Sequence, residues 1–227
     1  MSDTKRGGAL TAVDVLLVPD DAAQARAKAL NAALRRDFPP GFAVDETHQA
    51  HVTVLQRYVR SHALDRALQA VARTIAAYDL AAVSLRARGV VGAELGTPPG
   101  TLLASIDFAP APELQVLQTA LIVALRPFTA WDGTAAAFLA LPGEPAVGDA
   151  TVAYVERFVP AHSAERYSPH LTFGVGKREA VEDLEAGPFA AFEASVSAVA
   201  VYRVGDLGAA RQLLRIWPLH PSACSAA

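Results

Sequence analysis

The sequence predicts a mixed α+β fold built from two halves that carry matching elements. Short apolar runs rich in β-branched residues, typical of strands, alternate with alanine-rich stretches that have helical spacing. The chain is 52% hydrophobic and 19% charged, so its 227 residues are enough to bury a sizeable core. Each half contains a polar loop, a strand with the pattern His-x-Thr, a helix and a hairpin. This weak repeat predicts two pseudo-symmetric lobes that are not identical in sequence.

The first half is predicted to contain four strands and three helices. Residues 11–18 form an apolar run that stops at Pro19-Asp20-Asp21, which predicts a strand followed by a helix N-cap. The helix over residues 21–37 ends before Pro39-Pro40-Gly41. Further strands are predicted at 50–59, 82–91 and 102–108, and further helices at 61–78 and 113–125.

Residues 127–148 show little periodicity and are predicted to be a linker and hinge between the halves. After them the sequence predicts a short helix at 149–159, a strand at 170–175, a helix at 177–185 and a hairpin of 190–204 and 210–219. We expect one bilobal domain over residues 1–227, to which 11–126 and 149–219 each contribute one His-x-Thr motif. Residues 220–227 are expected to be a flexible tail.

Composition and charge argue against several classes of function. The formal net charge of −3 disfavours duplex DNA as a partner, because DNA-binding proteins usually present a basic face. The single cysteine, Cys224, allows neither an intramolecular disulfide nor a cysteine-based metal site. No apolar run approaches the roughly 18 to 20 residues of a membrane span. We therefore expect a cytoplasmic protein, by default a monomer.

Two tetrapeptides carry the chemistry: His51-Val52-Thr53-Val54 and, 119 positions later, His170-Leu171-Thr172-Phe173. Because side chains alternate faces along a strand, the His and Thr of each copy share one face while the apolar pair faces the core. Two histidines across a cleft can act as base and acid on opposite sides of a phosphorus. The two threonine hydroxyls are placed to donate hydrogen bonds to phosphoryl oxygens, and this chemistry needs no metal or other cofactor.

The paired motifs, their separation and the context Tyr167-Ser168-Pro169 before the second copy resemble the 2H phosphoesterase superfamily. Over about residues 11–219, the resemblance implies two antiparallel-rich sheets, flanked by helices around a central cleft. It also implies a metal-independent phosphodiesterase that hydrolyses or reversibly forms 2′,3′-cyclic or 2′-5′ bonds in a small nucleotide or an RNA terminus. His51 and His170 would be the catalytic pair, and Thr53 and Thr172 the phosphate binders.

Three further residues are candidates for substrate binding. Arg57 shares the face of His51 if its strand stays regular, and from there it would reach a phosphate. Tyr167 precedes the second motif, where it would stack on a base or bond a phosphate oxygen. Lys177 follows that motif and is expected at the rim of the cleft.

Two other functions would use the same four motif residues. A binding module that senses a nucleotide or an RNA end would keep the cleft but have little turnover. RNA ligation through 2′-5′ bonds would run the chemistry in reverse, with acid and base exchanging roles. A zinc site at His48 and His51 is disfavoured, because the segment is predicted to be loop and strand rather than helix and no third ligand is evident.

Overall fold

The computed structural model describes residues 8–144 and 146–219, which form seven strands and five α-helices joined by turns and loops. The strands are β1 (Leu10–Pro19), β2 (Val52–Arg60), β3 (Ser84–Ala93), β4 (Thr101–Phe108), β5 (His170–Lys177), β6 (Phe192–Val204) and β7 (Ala210–Pro218). The helices are α1 (Asp21–Asp37), α2 (Leu64–Ile75), α3 (Pro112–Leu125), α4 (Asp149–Ala161) and α5 (Arg178–Ala186). The tail predicted to be flexible, residues 220–227, lies outside the described residues.

All seven strands belong to one antiparallel sheet in the order β1-β2-β5-β4-β3-β6-β7, and β6 also pairs with β1. The first residues of β6 pair with β3, and its remaining residues pair with β1 and β7. The strands therefore form two four-stranded arms, β2-β1-β6-β7 and β5-β4-β3-β6, that share β6 at one end. At the other end a single residue pair, Val52 with Leu171, joins β2 to β5. The predicted α+β class with antiparallel sheets is confirmed.

Helices from one half of the chain pack against strands from the other half. Helix α1 lies on β5, α4 lies on β2, α5 lies on β3, and α2 packs against α3. The main core lies between these helices and the sheet, and it includes both Leu117 of α3 and Val199 of β6. Both arms thus contain strands from residues 11–126 and from residues 149–219. That the chain is one domain, to which each of these segments contributes one motif, stays a prediction. Within the described residues, no helix combines the length and apolar character needed to span a bilayer.

The middle segment, predicted to be a linker and hinge, is packed onto the sheet. Thr129 forms an isolated β-bridge with Val59 of β2. Phe138 and Val147 are buried in a second apolar cluster with Tyr58, whose ring meets the ring of Phe138 edge to face at 5.8 Å. These apolar residues follow no helical or strand period, which is why the sequence pattern did not predict their burial.

The segment between α1 and β2 packs against the backbone of β5 at Gly41. The Gly41 N–H donates to the carbonyl of Phe38 at 3.0 Å, and its carbonyl accepts from Arg35 Nε at 3.0 Å. A Cβ added at Gly41 would lie only 2.6 Å from the backbone carbonyl oxygen of Val175. Since two backbone segments meet here, only a residue without a Cβ fits.

We expect Gly41→Ala to destabilise the protein by about 1–3 kcal/mol, because the backbone of β5 or of the loop must shift. Gly89→Ala is the matched control, since no heavy atom lies within 4 Å of the Cβ it would add. Urea unfolding of both variants at pH 7 gives the two free energies of unfolding. Equal stabilities would contradict the close approach at Gly41.

Candidate active site

The two His-x-Thr motifs meet where β2 pairs with β5. Val52 and Leu171 are partners in this antiparallel ladder, and both are fully buried. The same register sets the first His opposite the second Thr, and the first Thr opposite the second His. The four motif side chains are partly exposed, and all of them line one cavity: His51, Thr53, His170 and Thr172.

The cavity has a volume of about 430 Å³, which lies within the range of small-molecule binding sites. Gln56 of β2 and Ser105 of β4 extend its polar floor. Side chains from other parts of the chain complete the wall, among them Phe42, His48, Gln49, Tyr154, His162 and Leu207. The site is therefore built from residues that are far apart in the sequence.

A β-bulge at Val54 follows the first motif. The ladder of β2 with β1 shifts register between Thr53 and Leu55, which leaves Val54 as the extra residue. One extra residue reverses the alternation of faces beyond it. Gln56 rather than Arg57 consequently continues the cavity face of the strand.

The expectation that Arg57 shares the face of His51 is wrong. The Arg57 side chain is buried, and its Nη1 donates a hydrogen bond to Thr129 Oγ1 at 2.8 Å. It does not line the cavity. The physical reason is the bulge at Val54, because the expectation assumed a regular strand.

The second motif has a bulge at the corresponding position. The ladder of β5 with β4 shifts register between Thr172 and Gly174, which leaves Phe173 as the extra residue. Val54 and Phe173, the fourth residues of the two motifs, are both fully buried in the main core. The two motif strands thus carry a bulge at the same position of the motif.

Neither Tyr167 nor Lys177 lines the cavity, so neither is placed to contact a ligand there. Tyr167 is buried, and its hydroxyl donates to the backbone carbonyl of Thr53 at 3.0 Å. It therefore links the approach to the second motif with the first motif strand. Lys177 ends β5 on the surface, where its Nζ lies 2.9 Å from Asp37 Oδ1.

Both motif histidines are oriented by a backbone carbonyl two residues before them. His51 Nδ1 lies 2.7 Å from the carbonyl oxygen of Gln49, and His170 Nδ1 lies 2.9 Å from that of Ser168. A ring nitrogen that faces a carbonyl carries the proton, so Nδ1 is the donor in each ring. Nε2 is therefore the nitrogen of each ring that the backbone does not hold, and in His51 it lies 3.5 Å from Asp14 Oδ2.

The two imidazoles have pKa shifts of opposite direction. Burial lowers the pKa of His51, but the hydrogen bond and charge of Asp14 outweigh burial and raise the pKa above its usual value. At His170 burial dominates and lowers the pKa, and the charge of His51 acts in the same direction. Environments that separate the pKa values of two groups in one site are typical of an acid–base pair.

The two threonine hydroxyls have different partners. Thr172 Oγ1 lies 2.9 Å from Ser105 Oγ, and both residues line the cavity, so one of the two protons remains for a ligand. Thr53 Oγ1 instead donates to Asp14 Oδ2 at 2.7 Å. The pair of Thr172 and Ser105 thus presents one hydroxyl proton to the cavity, whereas the proton of Thr53 is engaged by Asp14.

The sequence pattern did not predict that Asp14, Ser105 and Gln56 belong to the site. Asp14 is the one charged residue in the apolar run 11–18, and this isolated charge was a usable signal. Ser105 and Gln56 carry no comparable signal, because their place on the cavity face depends on strand pairing.

His48, the other candidate zinc ligand, is engaged by different groups. Its ring stacks on Phe42 with centroids 4.7 Å apart, and Arg211 Nη1 lies 3.1 Å from its Nδ1. Burial and the charge of Arg211 lower the pKa of His48 to about 4. In the part of the chain that the structure describes, no three His, Cys, Asp or Glu side chains are grouped to hold a metal ion.

No protein-family model matches the chain, and neither does any curated protein. Among solved structures, TT0787 of Thermus thermophilus matches with a TM-score of 0.55 and 18% identity, over 92% of this chain and 98% of that chain. Escherichia coli LigT complexed with 3′-AMP and Kluyveromyces marxianus Usb1 with uridine monophosphate both match with a TM-score of 0.46, at 14% and 11% identity. Each of these two matches covers 92% of this chain and 98% of the other. At 18% identity, the likeness to TT0787 shows a shared fold.

The lowered pKa of His48 predicts a loss of stability as the pH falls from 6.5 towards 4. In this window the unfolded chain binds a proton at His48 that the folded chain does not, so unfolding becomes easier. The glutamine of His48→Gln cannot titrate. Between pH 7 and 4.5, we therefore expect the free energy of unfolding of this variant to fall by about 1 kcal/mol less than that of the wild type. Urea unfolding at both pH values measures this difference, and identical losses would show that His48 titrates normally.

Proposed function

We propose that the protein is a phosphodiesterase of the 2H type that hydrolyses 2′,3′-cyclic or 2′-5′ phosphodiester bonds in a small nucleotide or an RNA terminus. The observation that carries this proposal is the meeting of His51 and His170 in one cavity, with pKa shifts of opposite direction. The hydroxyl pair of Thr172 and Ser105 beside them adds a hydrogen-bond donor for a phosphate.

The proposed reaction transfers two protons. One imidazole accepts a proton from water as the water oxygen attacks phosphorus, and the other gives a proton to the oxygen that leaves. The hydroxyl pair of Thr172 and Ser105 donates to a phosphoryl oxygen, whose negative charge increases in the transition state. Thr53 binds the phosphate only if its hydroxyl turns away from Asp14. Because imidazoles supply both proton transfers, we propose that the reaction needs no metal.

A mononucleotide matches the size of the cavity. The volume of about 430 Å³ holds a small molecule, whereas most of an RNA chain would extend beyond the wall. A 2′,3′-cyclic mononucleotide is therefore the first substrate to test, followed by 2′-5′ linked dinucleotides.

We expect His51→Ala and His170→Ala each to lower kcat/KM for 2′,3′-cyclic mononucleotides by about 10²- to 10⁴-fold, because each removes a proton-transfer group. His62→Ala is the matched control, since His62 is exposed in the turn after β2. Activity is measured by chromatography of the products with a chelator present. Full turnover by either motif variant would rule out the two-histidine mechanism.

We expect Thr172→Val to lower kcat by about 10²- to 10³-fold with a smaller change in KM, because its hydroxyl acts on charge that develops in the transition state. Steady-state kinetics with the same cyclic mononucleotides measure both constants. A rise in KM with unchanged kcat would mean that Thr172 only binds the substrate.

The same assays separate the competing functions. Tight binding of the cyclic nucleotides without product would favour a binding module. Formation of 2′-5′ bonds from RNA ends would favour ligation, in which the acid and the base exchange roles.

A further inference from the structure

Asp14 lies under the first motif as a fully buried acidic residue. It sits on β1 and pairs with Gln56 of β2 and Tyr202 of β6. Its Oδ2 accepts hydrogen bonds from Thr53 Oγ1 and from Gln56 Nε2, both at 2.7 Å. Among the described residues, no donor reaches its Oδ1. A buried carboxylate with one unbonded oxygen is costly unless a positive charge lies beside it.

His51 is the group that can supply this positive charge. His51 Nε2 lies 3.5 Å from Asp14 Oδ2, while His51 Nδ1 lies 2.7 Å from the carbonyl oxygen of Gln49. A neutral imidazole carries one N–H and would leave one of these acceptors facing a lone pair. The imidazolium has no such lone pair: its Nδ1–H donates to the Gln49 carbonyl, and its positive charge lies 3.5 Å from Asp14 Oδ2. The surroundings of His51 therefore favour its charged form.

His170 has only one such acceptor. Its Nδ1 faces the carbonyl oxygen of Ser168 at 2.9 Å, and no acceptor among the described residues lies within hydrogen-bond distance of its Nε2. The neutral ring with the proton on Nδ1 meets this arrangement and keeps the Nε2 lone pair free. The opposite pKa shifts of the two histidines agree with this geometry.

The difference between the two histidines arises from the strand beside each motif. Thr53 donates to the carboxylate of Asp14, whereas Thr172 shares its hydrogen bond with the neutral Ser105. The two motif strands are otherwise alike, down to their bulges. Asp107, the carboxylate beside His170 on β4, is paired with Arg88, whereas Asp14 has no arginine or lysine partner among the described residues. This difference in charge makes the two halves of the site chemically unequal.

The neighbouring histidines and tyrosines are neutral near pH 7. Burial lowers the pKa values of His48 and His162, the first to about 4. Burial raises the pKa values of Tyr154, Tyr167 and Tyr202, so these hydroxyls keep their protons. None of the five supplies a charge that competes with His51 for Asp14.

The acidic side chains of the cavity wall have partners of their own. Glu94 pairs with Arg178 at the start of α5. Asp206 accepts a hydrogen bond from Thr151 Oγ1 at 2.7 Å. Asp14 is therefore the acidic group whose charge acts on His51.

We propose that Asp14 is a positioning residue that holds His51 as an imidazolium, so that His51 is the proton donor and His170 the proton acceptor of the proposed reaction. This assignment of roles rests on the proposed function, whereas the charge on His51 does not. His170 Nε2 takes a proton from water while the water oxygen bonds to phosphorus. The bond from phosphorus to the leaving oxygen breaks, and that oxygen takes the proton of His51 Nε2. Solvent then restores both protonation states.

The decisive experiment is an NMR titration of the histidine rings in the unliganded protein. In the wild type, we expect the pKa of His51 to lie above that of His170. Asp14→Asn has nearly the same shape but no charge, and we expect it to lower the pKa of His51 by about 1 unit or more. If the wild-type order is reversed, or if Asp14→Asn leaves the pKa of His51 unchanged, the proposal is overturned.

The matched control is Asp107→Asn. Asp107 is the ladder partner of His170 on β4, where it pairs with Arg88 at 2.5 Å, and its charge raises the pKa of His170. We expect this variant to leave the pKa of His51 unchanged. An equal fall in the pKa of His51 in both variants would mean that any lost carboxylate has this effect, which overturns the specific role of Asp14.

The pH profile of kcat/KM tests the assignment of acid and base. Protonation of His170 should cause the loss of activity at low pH, and deprotonation of His51 the loss at high pH. Asp14→Asn should move the high-pH limb down by about 1 unit while the low-pH limb moves much less. If Asp14 had a purely structural role, Asp14→Asn would lower kcat/KM equally at every pH and move neither limb. That result would overturn the proposal. If the wild type shows no turnover but Asp14→Asn still lowers the pKa of His51, only the proposed function is contradicted.

Discussion

The pairing of Val52 with Leu171 is the constraint on which the site depends. The two arms of the sheet share β6 at one end, and this single pair joins β2 to β5 at the other. A slip of one residue would turn the His and Thr of a motif towards the core and the apolar residues towards the cavity. Such a slip would bury polar groups without partners, which costs several kcal/mol, so burial of the apolar pair holds the register.

The two bulges decide which residues follow the motifs on the cavity face. Because Val54 is an extra residue, both Val54 and Leu55 face the core, and Gln56 returns to the cavity. The carbonyl of Val54 accepts a hydrogen bond at 2.9 Å from Gln118, a buried residue of α3 that also donates to the carbonyl of His162. The Gln118 side chain thus satisfies the backbone carbonyl at the bulge, which stabilises this irregular point of the strand.

Pseudo-symmetry alone would make the two histidines equivalent, and the proposed roles of acid and base require that they differ. Both rings have the same backbone contact at Nδ1 and similar burial in one cavity. The difference arises on the neighbouring strands: the Asp14 carboxylate of β1 accepts from Thr53, whereas Thr172 meets the Ser105 hydroxyl of β4 and the Asp107 carboxylate of β4 is paired with Arg88. In a medium of low dielectric constant, one charge at 3.5 Å is enough to separate two otherwise similar groups.

The sequence by itself determined the strand and helix order and the face of each motif residue, because alternation within a strand is local and depends only on neighbours such as Val52 and Thr53. It also determined that His51 and His170 belong together, through the repeat of one short pattern. Only the tertiary structure decided the face of Arg57, since a bulge depends on the register of a partner strand. The position of Asp14 beside His51 likewise follows from the pairing of β1 with β2, and such a contact between distant residues leaves no period in the sequence.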